Sequence, residues 1–459
     1  MKLALVHLAT SGSEPPLGIA YIASYLRKNG FNNTVIIERE NIMKRLRKEK
    51  PDLVGISSMT YKFPEANALA GKIKAEFNIP VINGGCHISS IPQHLAESNF
   101  DVGVIGEGES TMLDLINLFE SKGFDKTSLC KVKGIVFGKN IVTDRRELIE
   151  PLDSIPFPAR DLLKMKEFYL LLRKGLFDTL GVYTTIITSR GCPYNCTFCY
   201  PRGFWRKVRL HSANYVVDEI KMLKDDYELD GIVIRDDLFI ISKRRVKEIV
   251  NLLKKEKLDL KFSIIARANL ITKDLVCILK SMNVASISFG LESGSDRILN
   301  YLKKGTVTVK QNKDALKLCK KYGIYTSSTF IIGSPNETVD DIKETMKLVS
   351  SKYLDDANVF QLTPLPATEI WDYAKSLGIV HDGIDFPYNE LMVAGFKTNV
   401  LLNDKLSAEE WKKIYDEFQR VAREKRRESI KIELKNIKHM LNINFIKKFA
   451  GRWFALARH

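Results

Sequence analysis

Three of the seven cysteines in the chain, Cys192, Cys196 and Cys199, lie within a stretch of eight residues. Their spacing, C-x3-C-x2-C, places three thiolates on one short loop, because the apolar β-type run YTTIITS ends just before them. Three thiolates so placed are compatible with a zinc site, with a redox pair and a spare thiol, or with an iron–sulfur cluster. Each alternative makes a different demand on the neighbouring sequence.

A structural zinc site normally needs four protein ligands, supplied by a second C-x2-C pair or a pair of histidines. The nearest histidine is His211, twelve residues beyond Cys199, and no second pair follows. A redox dithiol needs only two cysteines. An iron–sulfur cluster with three protein ligands leaves one iron open for chemistry, and the spacing favours this interpretation.

Alternating strand and helix patterns surround the cysteines. From about Tyr183 the runs YTTIITS, GIVIRDD, FSIIAR, SISFGLES, YTSSTFIIG and NVFQLTPLP read as strands, with helical stretches between them. Six such units predict a partial (β/α)6 barrel, in which a site lies at the carboxyl ends of the strands.

The first 120 residues or so show five more βα units, which predict a Rossmann-like doubly wound parallel sheet. Ligands of such sheets bind beyond the carboxyl ends of the strands. The glycines and polar residues predicted at those ends are Gly84, Gly85, His87, Gly106, Glu107, Gly108 and Glu109.

The motif CPYNCTFC, with Phe198 before the last cysteine, resembles the signature of the radical S-adenosylmethionine (SAM) superfamily. The resemblance implies that Cys192, Cys196 and Cys199 bind a [4Fe–4S] cluster whose fourth iron chelates SAM. It also implies SAM contacts in the motifs IRDDLF, ARANLI, ISFGLESGSDRIL and FIIGSPNET. The residues concerned are Asp236 and Asp237 at the methionyl amino group or substrate, Arg267 at the carboxylate, Glu292 at the ribose and Gly333 near adenine. The alternative roles are a helix N-cap or solvated loop for the acids and a structural ion pair for Arg267.

The segments PPLGIAYIASYL, PDLVGISSMT, INGGCHIS and VGVIGEGE look like the cobalamin-binding domain that precedes the barrel in one class of radical SAM enzymes. Besides the seven residues at the strand ends, this resemblance assigns cobalamin contacts to Pro16, Leu17, Gly18, Ser57, Ser58 and Thr60. A vestigial domain without cofactor and a domain for another nucleotide are the alternatives, although G-x-G-x-x-G is missing after the first strand. The D-x-H-x-x-G motif of cobalamin mutases is also missing, so we expect His87 not to ligate cobalt.

These patterns predict a domain order. We expect a cobalamin-binding domain over residues 1–130, a linker over 131–175, the barrel over 176–375 and a basic, mainly helical region over 376–459. The two domains together resemble enzymes that methylate an unactivated carbon, with an external one-electron reductant of the flavodoxin or ferredoxin type. Radical cyclisation, C–C bond formation or rearrangement without methyl transfer is the alternative within enzymes. An iron–sulfur redox sensor without turnover is the alternative outside them.

The formal net charge of +16 is concentrated at the C-terminus, where residues 405–459 hold 15 lysines and arginines against seven acidic residues. An apolar stripe at helical spacing runs through this segment, so it predicts a helix packed on its own protein, an interfacial membrane helix or a nucleic-acid contact. The absence of a recognised RNA-binding module disfavours nucleic acid. A membrane contact would suit a lipid or other hydrophobic substrate. With no signal peptide or long apolar stretch, the sequence predicts a cytoplasmic protein, peripheral on the membrane if the tail binds lipid.

Overall fold

A computed structural model of the protein describes residues 1–8, 14–38, 41–170, 172–173, 181–391 and 400–440, with the backbone alone for 172–173, 201–202 and 429–440. The described chain forms two compact units. Unit 1 contains Met1–Lys164, Arg190–His211 and Thr363–Leu401, and unit 2 contains Met165–Ser189, Ser212–Leu362 and the described part of Leu402–His459. The predicted domain boundaries follow sequence order, whereas these units join segments that are distant in sequence.

The core of unit 1 is a seven-stranded sheet whose first five strands are parallel. Its strands are β1 (Leu3–His7), β2 (Thr34–Glu38), β3 (Leu53–Ser57), β4 (Val81–Gly84), β5 (Val102–Val104), β6 (Ile135–Phe137) and β7 (Ile141–Val142). They lie in the order β2-β1-β3-β4-β5-β6-β7, which confirms the predicted doubly wound parallel sheet. Nearly every residue of β1 and β3 is buried, as expected where helices cover both faces of a parallel sheet.

Short amphipathic helices connect these strands. They are α1 (Leu17–Lys28), α2 (Ile42–Glu49), α3 (Phe63–Phe77), α4 (Cys86–Ser90), α5 (Glu109–Lys122) and α6 (Lys126–Leu129). The side chain of Asn41 caps α2 by accepting a hydrogen bond from the Lys44 amide. Helix α1 directs Leu17, Ala20 and Leu26 into the core.

The segment predicted to be a linker contributes structure to unit 1. Strands β6 and β7 form an antiparallel hairpin that extends the sheet at β5. They contain only three and two residues, too few for a period-two pattern to stand out from the surrounding sequence.

Unit 2 contains a second seven-stranded sheet, in the order β16-β15-β14-β13-β12-β9-β8. The remaining strands of the chain are β8 (Leu172–Arg173), β9 (Gly181–Ile186), β10 (Ser189–Arg190), β11 (Arg209–Leu210), β12 (Gly231–Ile234), β13 (Lys261–Ala266), β14 (Val284–Glu292), β15 (Tyr325–Ile332) and β16 (Asp356–Gln361). Strands β9 and β12–β16 are parallel, and β8 pairs antiparallel with β9. These six parallel strands confirm the predicted (β/α)6 arrangement, while β10 and β11 form a separate two-stranded sheet.

The remaining helices of the chain include those that connect the parallel strands of this sheet, together with two, at residues 201–205 and 369–376, that belong to unit 1. They are α7 (Pro201–Trp205), α8 (Ala213–Tyr227), α9 (Lys243–Lys255), α10 (Lys273–Ser281), α11 (Asp296–Lys303), α12 (Val309–Lys321), α13 (Val339–Val349), α14 (Glu369–Ser376) and α15 (Ala408–Met440). Helices α12 and α13 begin with capping boxes, in which Thr308 pairs with Gln311 and Thr338 with Asp341.

The long helix α15 confirms the predicted helical C-terminal region as far as Met440, and residues 441–459 of the predicted helix lie outside the described residues. Its first turns bury Trp411, Ile414, Tyr415 and Phe418 within unit 2. No helix in the described ranges is both long and apolar enough to cross a membrane.

Candidate active site

The three clustered cysteines lie on the loop between β10 and α7, in the part of the chain that belongs to unit 1. Cys192 and Cys196 are half-buried and Cys199 is exposed, and none of them is in a disulfide. The amide of Cys199 donates to the carbonyl of Cys196 at 3.1 Å, which forms a tight turn. Half-buried Phe198 lies within this turn.

Gly191 shapes the start of this loop. Its φ is +95°, and a Cβ at this position would lie 2.6 Å from the carbonyl oxygen of Lys207. Only glycine allows both the left-handed backbone and this close approach. Further along, the carbonyl of Thr197 accepts a hydrogen bond from the amide of Ile370 at 3.2 Å, so the loop is held on two sides.

The loop fits a [4Fe–4S] cluster by its donor set: three thiols, all at least partly accessible, on one turn. In such a cluster each of the three thiolates binds a different iron, so the three side chains need not converge on a single metal ion. Among the described residues no group of three or more His, Cys, Asp or Glu side chains is arranged to hold a metal ion.

Asp236, which follows β12, supports the strand end that leads into the cysteines. One of its carboxylate oxygens accepts hydrogen bonds from the amides of Thr188 and Ser189 at 2.6 and 3.1 Å. The other oxygen accepts hydrogen bonds from the hydroxyl groups of Thr188 and Ser189, both at 2.6 Å. Burial raises the pKa of Asp236 above its usual value, although these four donors oppose the shift. Both oxygens are therefore engaged by the protein, whereas the neighbouring Asp237 is exposed.

Glu292, the last residue of β14, forms a buried ion pair. Its Oε1 lies 2.9 Å from Nζ of Lys303, and both side chains are 6% exposed. Lys303 also donates to the carbonyl of Gly290 at 3.0 Å. The pairing of β14 with β15 shifts register between Gly290 and Glu292, and Glu292 has a φ of +61°. A bulge of this kind redirects a side chain at the end of a strand.

Arg267, the residue after β13, is buried, and its Nη2 donates to Oγ1 of Thr306 at 2.6 Å. Its Nε lies 3.4 Å from Oδ1 of Asn269. These two contacts help to hold the guanidinium in one orientation at the end of β13.

Gly333 follows β15 in a turn organised by a buried carboxylate. Its φ is +88°, and a Cβ would lie 2.9 Å from the ring of Trp411. Oε2 of Glu337 accepts hydrogen bonds from the backbone amides of Gly333 and Ser334 at 2.6 and 3.0 Å. Oε1 of Glu337 is buried and has no hydrogen-bond partner among the described residues. Burial raises the pKa of Glu337 to about 8, so this carboxyl group is largely protonated at neutral pH.

The predicted cobalamin contacts at three strand ends lie on one edge of the unit 1 sheet. Ser57 at the end of β3 is in register with Gly84 at the end of β4, and the Ser58 amide donates to the Gly84 carbonyl at 3.0 Å. Gly85 has a φ of +100°, and a Cβ there would lie 2.7 Å from the carbonyl oxygen of Ser58. Gly106 follows β5 and donates its amide to Oγ of Ser89 at 2.9 Å.

Two glycines leave open space at this end of the sheet, because a Cβ on Gly18 or Gly106 would meet nothing within 4 Å. Backbone with open space beside it suits a large ligand such as cobalamin. Gly18 is at the start of α1, after half-buried Pro16 and buried Leu17. Half-buried Thr60 begins a short 3₁₀ turn after β3. Gly108 instead packs on its own unit, since a Cβ would lie 2.7 Å from Ile22.

His87 is fully buried in unit 1. Its Nε2 lies 2.9 Å from Nδ1 of His94, whose Nε2 lies 2.7 Å from the carbonyl oxygen of Asp382. The carbonyl needs a donor, so His94 carries its proton on Nε2 and accepts the proton of His87. Phe63 stacks on the His87 ring with centroids 3.9 Å apart. Burial, with a smaller effect of His94, lowers the pKa of His87 to about 3, so the ring is neutral.

Glu107 and Glu109 pair with arginines. Arg190 binds Glu107 at 2.9 Å and Glu109 at 2.6 Å, and Arg209 also binds Glu107. A cavity of about 260 Å³ in unit 1 adjoins this group, with Gly106, Glu107 and Tyr200 in its wall.

Sequence reasoning missed Arg190, Arg209, Lys303 and Glu337. Two acids in the short apolar motif VGVIGEGE required buried cations, which was a signal that such partners exist. It did not say which arginines they are.

Comparison with known proteins identifies two family models in the chain. Residues 186–349 match the Radical SAM superfamily and residues 5–116 match the B12 binding domain. The first range contains the cysteine loop and β12–β15, and the second contains the end of β1 and all of β2–β5.

Curated relatives agree with both matches. An uncharacterized methyltransferase of Pyrococcus horikoshii is 33% identical over 371 residues, which covers 78% of each chain. An anaerobic magnesium-protoporphyrin IX monomethyl ester cyclase of Rubrivivax gelatinosus is 29% identical over 82% of this chain and 68% of its own.

Among solved structures, the radical SAM methyltransferase TsrM from Kitasatospora setae, with cobalamin and a [4Fe–4S] cluster bound, has the same fold. The TM-score is 0.68 at 18% identity, over 84% of this chain and 80% of TsrM. The cysteine loop, the glycine-lined sheet edge and these matches agree. The chain is therefore a radical SAM enzyme of the group that carries a B12-binding domain, with a [4Fe–4S] cluster, SAM and cobalamin as its cofactors.

Proposed function

We propose that this enzyme methylates an unactivated carbon of a hydrophobic substrate. The observation that carries the proposal is that the cysteine segment Arg190–His211 belongs to the same compact unit as the sheet of the B12-binding domain. A cluster on the cysteines and a cobalamin at the sheet edge would then share one compact unit. The relative from Pyrococcus horikoshii is named a methyltransferase, which supports the same reaction. When bound, the cofactors supply the electron, the radical and the methyl group.

In this proposal the protein supplies ligands and orientation. Cys192, Cys196 and Cys199 hold the cluster, and an external reductant of the flavodoxin or ferredoxin type delivers the electron. For SAM, Glu292 is the ribose contact and Arg267 the carboxylate contact. Their buried positions and single orientations support these roles, because preorganised groups lose little freedom on binding.

The residues at the strand ends of the unit 1 sheet would hold cobalamin, and we expect His87 not to ligate its cobalt. The position of His87 supports this, because the ring is fully buried and its Nε2 donates to His94. A cobalt ligand from this ring would require the surrounding packing to open.

The substrate class is the least constrained part of the proposal. The basic C-terminal segment supports a lipid or other hydrophobic substrate at an anionic membrane surface, with the enzyme cytoplasmic and peripheral. The first half of α15 does not serve this purpose, because Phe418 is buried and Lys425 donates to the carbonyl of Ser351 at 2.9 Å. The membrane contact is therefore proposed for residues after Glu428.

Vesicle flotation tests the membrane contact. The full chain should float with vesicles that contain anionic lipid and not with neutral ones, and a chain ending at Glu428 should stay at the bottom of the gradient. Equal flotation of the two chains would exclude the tail as the membrane-binding segment.

The reaction is tested with reconstituted, anaerobic enzyme, SAM carrying a deuterated methyl group, a strong reductant and lipid extract. We expect deoxyadenosine and S-adenosylhomocysteine in equal amounts, with the deuterated methyl group in one lipid product. Cleavage of SAM by protein that binds no cobalamin would contradict the proposal.

Radical cyclisation, C–C bond formation or rearrangement is the second candidate. The 29% identity to a cyclase that carries the same pair of domains favours it. It predicts deoxyadenosine without S-adenosylhomocysteine and a product without deuterium, so the same experiment separates the two reactions.

A further inference from the structure

Four charged side chains form a buried cluster in unit 1, which we call the loop clamp: Glu107, Glu109, Arg190 and Arg209. They are between 3% and 8% exposed. Oε1 of Glu107 accepts a hydrogen bond from Nη1 of Arg190 at 2.9 Å, and Oε2 accepts one from Nη1 of Arg209 at 3.0 Å. Oε1 of Glu109 accepts a hydrogen bond from Nη2 of Arg190 at 2.6 Å. Both carboxylate oxygens of Glu107 thus accept hydrogen bonds from guanidinium groups.

The two arginines bracket the cysteines. Arg190 lies two residues before Cys192 and Arg209 lies ten residues after Cys199. One carboxylate, that of Glu107, therefore closes the loop that carries all three thiolates. Glu107 itself directly follows Gly106 at the open end of β5.

Other contacts make the clamp rigid. The guanidinium of Arg190 lies over the rings of Tyr21 and Trp205, at 5.2 and 5.5 Å from their centroids. Arg209 also donates to the carbonyl of Ile149 at 3.0 Å. Burial by itself raises the pKa of Glu107, but the hydrogen bonds and charges of Arg209 and Arg190 have the larger effect and lower this pKa below its usual value. Glu107 is therefore ionised at neutral pH.

We propose that Glu107 and Glu109 are positioning residues for the [4Fe–4S] loop rather than contacts to cobalamin. Through Arg190 and Arg209 they fix the three thiolates against the sheet edge that binds cobalamin. This differs from the role that the sequence assigns to both acids. The inference depends on the cluster and on no particular substrate, so a failure of the methylation proposal leaves it intact.

The test compares Glu107→Gln, Glu109→Gln and Arg190→Lys with a matched control. Glu49 is the control, because its carboxylate also bridges two cations in unit 1, Lys2 at 2.5 Å and Arg45 at 2.9 Å. It lies on α2, which carries no part of the cysteine loop.

The first readout uses cluster-free protein and trypsin. Arg206 and Lys207 are exposed cleavage sites within the clamped loop. We expect Glu107→Gln to be cut there about tenfold faster than the parent chain, because the loop opens more often when its charge-assisted hydrogen bonds are weakened, while Glu49→Gln is cut at the parental rate. Equal protection in both variants would overturn the inference.

The second readout uses loaded enzyme. Glu107→Gln should bind hydroxocobalamin with an unchanged Kd, while iron content or the rate of SAM cleavage falls about 10- to 100-fold. The electron paramagnetic resonance signal of the reduced cluster should become heterogeneous on addition of SAM. Arg190→Lys, which keeps the charge but loses the two-pronged contact, should fall between parent and Glu107→Gln.

A decrease in cobalamin affinity with an unchanged cluster signal would overturn the inference and restore a direct contact to cobalamin. If Glu107→Gln does not fold, Glu109→Gln removes one contact and leaves Arg209 paired, so it carries the same test. It should show the same pattern with smaller changes.

Discussion

Lys303 Nζ lies 2.9 Å from Oε1 of Glu292, in a pair that is almost completely withdrawn from water. Lys303 ends α11, so this helix fixes the orientation of the carboxylate at the end of β14. The ion pair therefore holds in one orientation the carboxylate that we propose as the ribose contact.

Replacing Lys303 by methionine should destabilise unit 2 by about 3–5 kcal/mol, because it leaves the Glu292 charge buried without its cation. Denaturant unfolding of the cluster-free protein measures this change. Adding Glu292→Gln to Lys303→Met should recover part of the loss, since the uncompensated charge is removed. Additive effects of the two substitutions would show that the residues do not interact.

Glu337 should make stability depend on pH. A folded-state pKa of about 8, above the ordinary value of 4.5, means that the folded chain binds the extra proton. The contribution of this protonation to the free energy of unfolding is complete below about pH 4.5 and is lost as the pH rises towards 8. The free energy of unfolding then falls by at most about 1.4 kcal/mol per pH unit. Unfolding free energies measured between pH 5.5 and 8.5 should fall with pH in the parent chain.

Glu337→Gln should remove most of this slope while its amide oxygen still accepts the two turn amides. Glu410→Gln is the control, because Glu410 is exposed. An unchanged slope in Glu337→Gln would assign the pH dependence to another group.

The strand ends could be predicted because parallel strands place their carboxyl termini on one edge. Ser57, Gly84 and Gly106 meet there as the βα alternation requires. The partner of Glu107 could not be predicted in the same way. Arg190 lies 83 residues away, and any of the chain's 71 lysines and arginines satisfied the requirement for a cation. Periodicity locates elements, whereas the pairing of buried charges depends on the packed structure.

The same limit explains Asp236 and Glu337. Their sequence motifs mark the ends of β12 and β15, but burial and donor number decide whether a carboxylate faces a ligand or a backbone turn. Both carboxylates bind backbone amides here.

His87→Asn should leave the visible spectrum of bound cobalamin unchanged, because the ring is fully buried and its Nε2 is engaged by His94. The variant should be less stable by about 1–3 kcal/mol at pH 7, as it breaks the buried hydrogen bond to His94. A spectral change typical of a lost nitrogen ligand would contradict the absence of a histidine below the cobalt.

His87 also predicts acid sensitivity. Its folded pKa of about 3 lies below the usual 6.5, so its contribution to stability is complete above pH 6.5 and is lost as the pH falls towards 3. The parent chain should lose stability over this range, and His87→Asn should lose less. Parallel curves for the two proteins would show that another group is responsible.

Asp236→Asn should disturb the cysteine loop from the strand that precedes it. The carboxylate accepts four donors from Thr188 and Ser189, and an amide nitrogen in place of either oxygen would face two of them. We expect a loss of about 1–3 kcal/mol in stability for each unsatisfied buried group, and iron content that decreases with it. Asp237→Asn is the matched comparison on the adjacent, exposed residue, and its stability should stay within about 0.5 kcal/mol of the parent. Any effect of Asp237→Asn should instead appear in the affinity for SAM. If Asp236→Asn keeps parental stability and iron content but binds SAM more weakly, Asp236 contacts SAM directly, and the support that it gives to Thr188 and Ser189 is not what the cluster requires.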